Sequence, residues 1–188
     1  MAQATGVTRP GGRTARTRDA VHAATRELLA ESTDGTIDVA AVAARSGVHI
    51  ATIYRRWRTA EGLIIDTVVE ELGERSPVPA TGDLRADMLV WVTKLLTDLR
   101  SPNQMAFFKA MARAGENGLS DIGQFAGPRV RQFEATLEAS GSTTLAWLDI
   151  FELILAPAYI RALMSIPLDP DTDAERLVAN LLAVRDAR

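Results

Sequence analysis

The sequence predicts an all-α fold, and three observations carry that prediction. Apolar residues recur at helical spacing along almost the whole chain, no stretch alternates as a half-buried strand would, and Ser, Thr or Asp repeatedly stands where an apolar stripe begins. With 188 residues and 47% hydrophobic content, the chain carries enough apolar side chain for a core in one or two domains.

Residues 1–12, rich in Gly, Thr, Ala and Pro, read as a disordered N-terminal arm. A first helix is expected over 14–30, with Val21, Ala24, Leu28 and Leu29 on one stripe and Asp34-Gly35 as its stop. Two short helices follow. Asp38 is the N-cap candidate for 39–45, Gly47 permits a tight turn, and 50–57 forms the second. Helices of this length are marginal alone, so they must lean on the first helix and on each other. Thr59 is placed to cap the next, in which Leu63, Ile64, Thr67, Val68 and Leu72 keep the apolar spacing.

Ser76-Pro77-Val78-Pro79-Ala80-Thr81-Gly82 breaks the chain and is its clearest internal boundary. Beyond it, Asp83 caps an amphipathic helix carrying Leu84, Met88, Trp91, Leu95 and Leu99. Ser101-Pro102-Asn103-Gln104 reads as a capping box opening a helix with Phe107, Phe108 and Met111. A glycine-punctuated stretch runs from Gly115 to Gly127, with room for one helical turn at 121–125, and Pro128 is expected to start a helix reaching Ala139. A long apolar helix is expected over 143–165. Thr172-Asp173-Ala174-Glu175 reads as a second capping box, opening a last helix with Leu177, Leu181 and Val184.

Composition removes several function classes. The chain has no cysteine, hence no disulfide, thiol nucleophile or thiolate metal site, and its two histidines lie far apart, so neither a metal nor another cofactor is expected. No run reaches the roughly 18 apolar residues of a membrane span, and the first residues lack the apolar centre of a signal peptide, so no membrane partner and a cytoplasmic location are expected. The net charge of -3 conceals an asymmetry. Residues 1–58 hold nine arginines against five carboxylates, so the remainder is acidic. One cationic end on an acidic protein suits contact with phosphates, although clustered solvated charges would look the same.

The segment from Val39 to Tyr54 has the logic of a helix-turn-helix. Small alanines on its first helix permit close crossing, Gly47 sits at the turn, and Val42, Val48 and Ile53 can lock the two helices together. The second helix must expose side chains to a major groove while keeping one edge buried. His49, Ile50, Ala51 and Thr52 at its start are candidates for base edges; Tyr54, Arg55, Arg56 and Arg58 near its end, with Arg45 at the end of the preceding helix, are candidates for the phosphate backbone. His49 can equally serve as a helix cap. Arg9, Arg13, Arg16 and Arg18 could form a minor-groove arm, against a merely solubilising tail for Arg9.

Gly47-Val48-His49-Ile50-Ala51-Thr52-Ile53-Tyr54-Arg55-Arg56-Trp57, followed by Glu61-Gly62-Leu63, resembles the signature of TetR-family regulators over the first third of the chain. The resemblance implies a bacterial transcription regulator, usually a repressor on a double-stranded DNA operator and usually a homodimer. It further implies a DNA-binding domain at 13–58 and a helical effector-binding and dimerisation domain at 59–188. In such proteins the last two long helices pair into a four-helix bundle, and a small effector in the C-terminal domain changes the spacing of the two heads. Two positions depart from the pattern. Ala60 stands where the family often has a phosphate-touching lysine, and Asp38 where it often has Ser or Thr, so that Asp38 can cap but would repel a phosphate.

For the second domain, Met88, Trp91, Leu95, Phe107, Phe108, Met111, Phe125, Phe151 and Tyr159 supply the bulk for either a core or a pocket for a largely apolar effector. Trp91, Phe107 and Met111 come first, because the resemblance places them in pocket-lining helices. The run from Trp147 to Pro157 is too apolar for an exposed helix, which makes Trp147, Phe151, Ile154 and Leu155, with Leu177 and Leu181, candidates for a dimer interface. An enzyme would have to use a pair such as Asp149 and Glu152, one helical turn apart, but no nucleophile with a base and no phosphate-cradling loop accompanies them. A ligand- or protein-binding relative of the same fold that does not bind specific DNA is the other alternative.

Overall fold

The first-turn amides of a helix have no partner within it, and here Asp38, Thr59, Asp83 and Asp169 accept them at four helix starts. In a computed structural model of the protein, the backbone of residues 12–100 and 120–188 is described, with side chains apart from 13 and 120–125. Every regular element among the described residues is helical. We label them α1 (Gly12–Glu31), α2 (Val39–Ser46), α3 (Ile50–Trp57), α4 (Ala60–Arg75), α5 (Leu84–Asp98) and α6 (Ser120–Ala139). α7 runs from Trp147–Ile150 through a π-helical stretch, Phe151–Leu155, into Ala156–Leu163, and α8 is Pro170–Ala187. Asp38, Thr59 and Asp83 accept the amides of Ala40, Gly62 and Ala86, as expected of caps.

α1 packs on α2 and α4, and the short α2 and α3 pack on each other. Val21, Ala24, Val39, Val42, Ile53 and Trp57 close that core, with Val48 half-buried against it. α4 is buried nearly all round in its middle: Gly62 to Val69 is covered without a break, more than the single stripe the spacing suggested. A helix of that kind must be covered on opposite faces. α1 and α3 cover one side and α6 another, so α4 joins the two halves of the molecule.

Three expectations change. Pro128 does not begin a helix; it lies inside α6, which starts at Ser120. Proline lacks the amide for one intrahelical bond, and the packing of α6 along α4 tolerates that loss. The last helix starts at Pro170, ahead of the box read at Thr172, because Asp169 accepts the amides of Asp171 and Thr172 with proline at the first helical position. In α7 the amide of Ala156 reaches back to Phe151, and this widened turn directly precedes Pro157, whose ring would crowd a regular turn.

The segment 76–82 is bound rather than loose. Arg129 Nη1 donates to Ser76 O at 2.8 Å, Thr136 Oγ1 to Pro79 O at 2.7 Å, and Thr81 donates through N and Oγ1 to Asp87, each at 2.8 Å. α5 then packs along α8. The helix expected after Ser101, with Phe107, Phe108 and Met111, lies outside the described residues, as does the Phe125 side chain.

Candidate nucleic-acid interface

The turn between α2 and α3 hinges on Gly47, whose φ of 67° is left-handed backbone that a side chain disfavours. It lets α3 cross α2 with Ile53 and Trp57 turned inward. The outward face of α3 then carries Ala51, Tyr54, Arg55 and Arg56, all exposed, with Tyr54 48% exposed despite its ring. Thr52 is half-exposed, and Ile50 is partly buried against the core. His49 caps α3: its Nδ1 accepts the amide of Ala51 at 3.2 Å, and its side chain remains exposed. Capping thus fixes the ring at the N-terminal rim of the helix.

Arg56 lies over the Trp57 ring at 5.2 Å, which orients one of the two adjacent cations. Arg58 follows at φ 58°, and the amide of Thr59 bonds back to Trp57 O at 2.6 Å. This is a γ-turn of the strained, positive-φ kind, at the joint between α3 and α4.

Arg45 has a different setting. Its fork meets Glu31 at 2.7 and 3.2 Å, with Glu27 at 3.8 Å, tying α2 to α1. That bidentate pair raises the arginine and lowers Glu31 relative to their ordinary pKa values. Its donors are therefore directed at a carboxylate of its own chain. Arg18 is likewise drawn inward, to Asp66 at 3.1 Å and Glu70 at 2.8 Å, whereas Arg16 is exposed and donates locally to Gly12 O.

Behind α3 lies a polar cluster that motif reading missed. Asp66 of α4, buried, accepts from Trp57 Nε1 at 2.8 Å, His22 Nε2 at 3.0 Å and Arg18 Nη2 at 3.1 Å, while the other ring nitrogen of His22 pairs with Glu70. Burial alone would raise the Asp66 pKa; the hydrogen bonds from His22, Trp57 and Arg18 outweigh it and hold the carboxyl well below the usual carboxylate range. Two signals pointed here: a tryptophan indole needs an acceptor once buried, and Arg18/His22 and Asp66/Glu70 are each spaced by one helical turn.

In the second half of the chain, Met88, Trp91 and Leu95 share the buried face of α5, and Tyr159 is buried on α7. Trp91 meets Phe133 edge-on, with centroids 5.0 Å apart. The Arg129 guanidinium lies 5.3 Å from the Trp91 centroid and 5.6 Å from that of Phe133. Phe151 is partly buried.

Three candidates for the dimer interface are spent inside the protomer. Ile154 and Leu181 are 0% exposed and Leu177 is 2% exposed, because those positions of α7 and α8 face their own core. Leu155 is half-buried. The apolar side chains that do reach the surface here are Trp147, Leu148, Ile160, Leu163, Met164 and Ile166.

No protein-family model matches the chain. Over 110 residues it is 28% identical to the HTH-type transcriptional regulator AqdR of Rhodococcus erythropolis, covering 58% of this chain and 53% of that protein. Over 100 residues it is 31% identical to the uncharacterized HTH-type transcriptional regulator YdeS of Bacillus subtilis (strain 168), covering 53% and 50%. The chain thus matches about half the length of these curated relatives. Among solved structures, it superposes on the TetR family transcription regulator SCO0332 with a TM-score of 0.71 at 23% identity, covering 90% of this chain and 98% of that one. A TetR transcriptional regulator from Rhodococcus sp. RHA1 gives 0.66 at 21% identity, covering 90% and 97%. The chain has the fold of the TetR-family regulators, and its curated relatives are helix-turn-helix transcription regulators.

Proposed function

We propose that this protein is a TetR-type transcription regulator that binds a quasi-palindromic operator as a homodimer and is released from it by a small effector. The observation that carries the reading is the division of α3: Ile53 and Trp57 anchor it, while His49, Ala51, Thr52, Tyr54, Arg55 and Arg56 line the opposite, solvent-facing side. Such a helix fits a major groove, with its start near base edges and its cationic end at phosphates. In a dimer formed through the apolar surface of α7, two such helices meet successive grooves about 34–36 Å apart. α4, held between α1, α3 and α6, is the element through which a ligand in the second half would alter that spacing.

The test is fluorescence anisotropy on duplex DNA from upstream of the protein's own gene beside a scrambled duplex, across a salt series. Tight binding to the first alone, weakened by salt, supports the reading. Equal weak binding to both, repeated over tiled duplexes from the whole flanking region, would sink it and favour a ligand-binding protein of the same fold.

A further inference from the structure

Two polar side chains in the second half of the chain, Arg129 and Trp91, lie against each other. Arg129 is largely buried, yet no carboxylate among the described residues pairs with it. Its Nη1 donates to Ser76 O at 2.8 Å and Gln132 Oε1 at 2.6 Å; Nε and Nη2 make no bond among the described residues. Burial lowers its pKa to about 10, so it still carries its charge at neutral pH. The neighbouring Tyr159 supplies no counter-charge, because burial pushes its phenol up and keeps it neutral. Asp98 is engaged elsewhere, with Lys94 at 3.5 Å and Arg75 at 3.7 Å.

Beneath that guanidinium lies a buried donor. Trp91 is 1% exposed, and its Nε1 has no acceptor among the described residues. A buried indole N–H left unpaired is costly and uncommon, and a partly buried guanidinium without a carboxylate gains from an added anion. The surrounding side chains, Met88, Leu95 and Phe133, are apolar or aromatic. One buried donor without an acceptor among the described residues, beneath a cation that no described carboxylate pairs with and beside apolar side chains, marks a place for an added acceptor.

We propose that the effector is an organic anion, with an apolar or aromatic body and a carboxylate- or sulfonate-like head that docks against Arg129 and the Trp91 indole N–H. This rests on the regulator reading above and names the ligand chemistry of its second domain. The guanidinium gives the head a charge-assisted partner, while Phe133, Met88 and Leu95 receive the body. The competing account is that Arg129 only staples residues 76–79 to α6. That account explains Nη1, and leaves the missing counter-ion and the Trp91 N–H unexplained.

A matched pair of naphthalene probes decides between them: 1-anilinonaphthalene-8-sulfonate and the neutral N-phenyl-1-naphthylamine, which lacks only the sulfonate. The native full chain is expected to bind the anion about tenfold or more tightly than the neutral probe. Arg129→Met should bring the two affinities together, Arg129→Lys should keep part of the preference, and Trp91→Phe should weaken the anion several-fold more than the neutral probe. Equal affinities in the native chain, or a preference that survives in a folded Arg129→Met, overturn the proposal. Should the methionine variant fail to fold, by circular dichroism, the lysine and phenylalanine variants decide it on the same criterion. Duplex binding measured on the same samples separates the two readings. Operator binding without anion preference overturns the ligand chemistry alone, and anion preference without operator binding overturns the regulator reading alone.

Discussion

The indole N–H of Trp57, the last residue of α3, donates to the buried carboxylate of Asp66 on α4 at 2.8 Å. The same carboxylate also accepts from His22 and Arg18 of α1, so one group fixes three helices around the base of α3. Asp66→Asn replaces one acceptor with a donor that faces donors. We expect a stability loss of about 1–3 kcal/mol in urea unfolding. Duplex affinity should fall as well, since α3 loses its anchor; an unchanged midpoint and affinity would contradict this role.

Acid should weaken the fold through two carboxylates. The pKa of Asp66 is depressed as described, and that of Asp173 is also depressed: burial opposes ionisation, but Arg161, Arg176 and the Asp169 amide more than compensate. For a group depressed in the folded state, the stabilisation is complete above its unfolded pKa of about 4 and is lost as pH falls below it. Thermal midpoints should therefore hold between neutrality and about pH 5, then drop, with a shallower drop in Asp66→Asn.

Gly47 isolates the backbone cost of the α2–α3 turn. A Cβ built there meets nothing within 4 Å, so Gly47→Ala introduces no clash and only the left-handed φ of 67° opposes it. The expected loss is about 1–2 kcal/mol, and smaller for Gly47→Asn, which tolerates that conformation better. Equal stability of all three forms in chemical unfolding would show that the turn relaxes to another conformation.

If Arg55 and Arg56 touch phosphates, replacing both with alanine should flatten the dependence of log affinity on log salt by about one unit for each contact removed. Arg45→Ala should leave that slope nearly unaltered and instead lower stability, because its fork is committed to Glu31. A large slope change from Arg45 alone would show that the Glu31 pair opens on DNA.

Local signals carried the fold. Asp38, Gly47, Thr59 and Asp83 act where they stand, because a cap or a tight turn depends on only a few neighbouring residues. What was illegible was long-range. Arg18 and Arg45 read as free cations because their carboxylate partners lie on other helices, 48 and 14 residues away. Arg129 gave no motif at all; it becomes notable only when α5 and α6 bring Trp91 and Phe133 beneath it. Ile154, Leu177 and Leu181 illustrate the same limit. An apolar helix has to be buried, but periodicity does not say whether its own core or a partner buries it.

The surface of α7 turns that ambiguity into a prediction. Ile160 and Leu163 are 47% and 46% exposed, and Met164 and Ile166 extend the same apolar surface beyond the helix end. A patch of this kind is costly on a monomer and suits a self-complementary two-fold contact. Changing Ile160 and Leu163 together to glutamate removes no core packing, so the circular dichroism and thermal midpoint of the folded protomer should stay close to native. On the proposed dimer, light scattering should then report the mass of one chain instead of two, and affinity for the proposed operator should fall steeply because each half-site is bound independently. A dimer mass that survives both charges would place the contact on another face of the molecule.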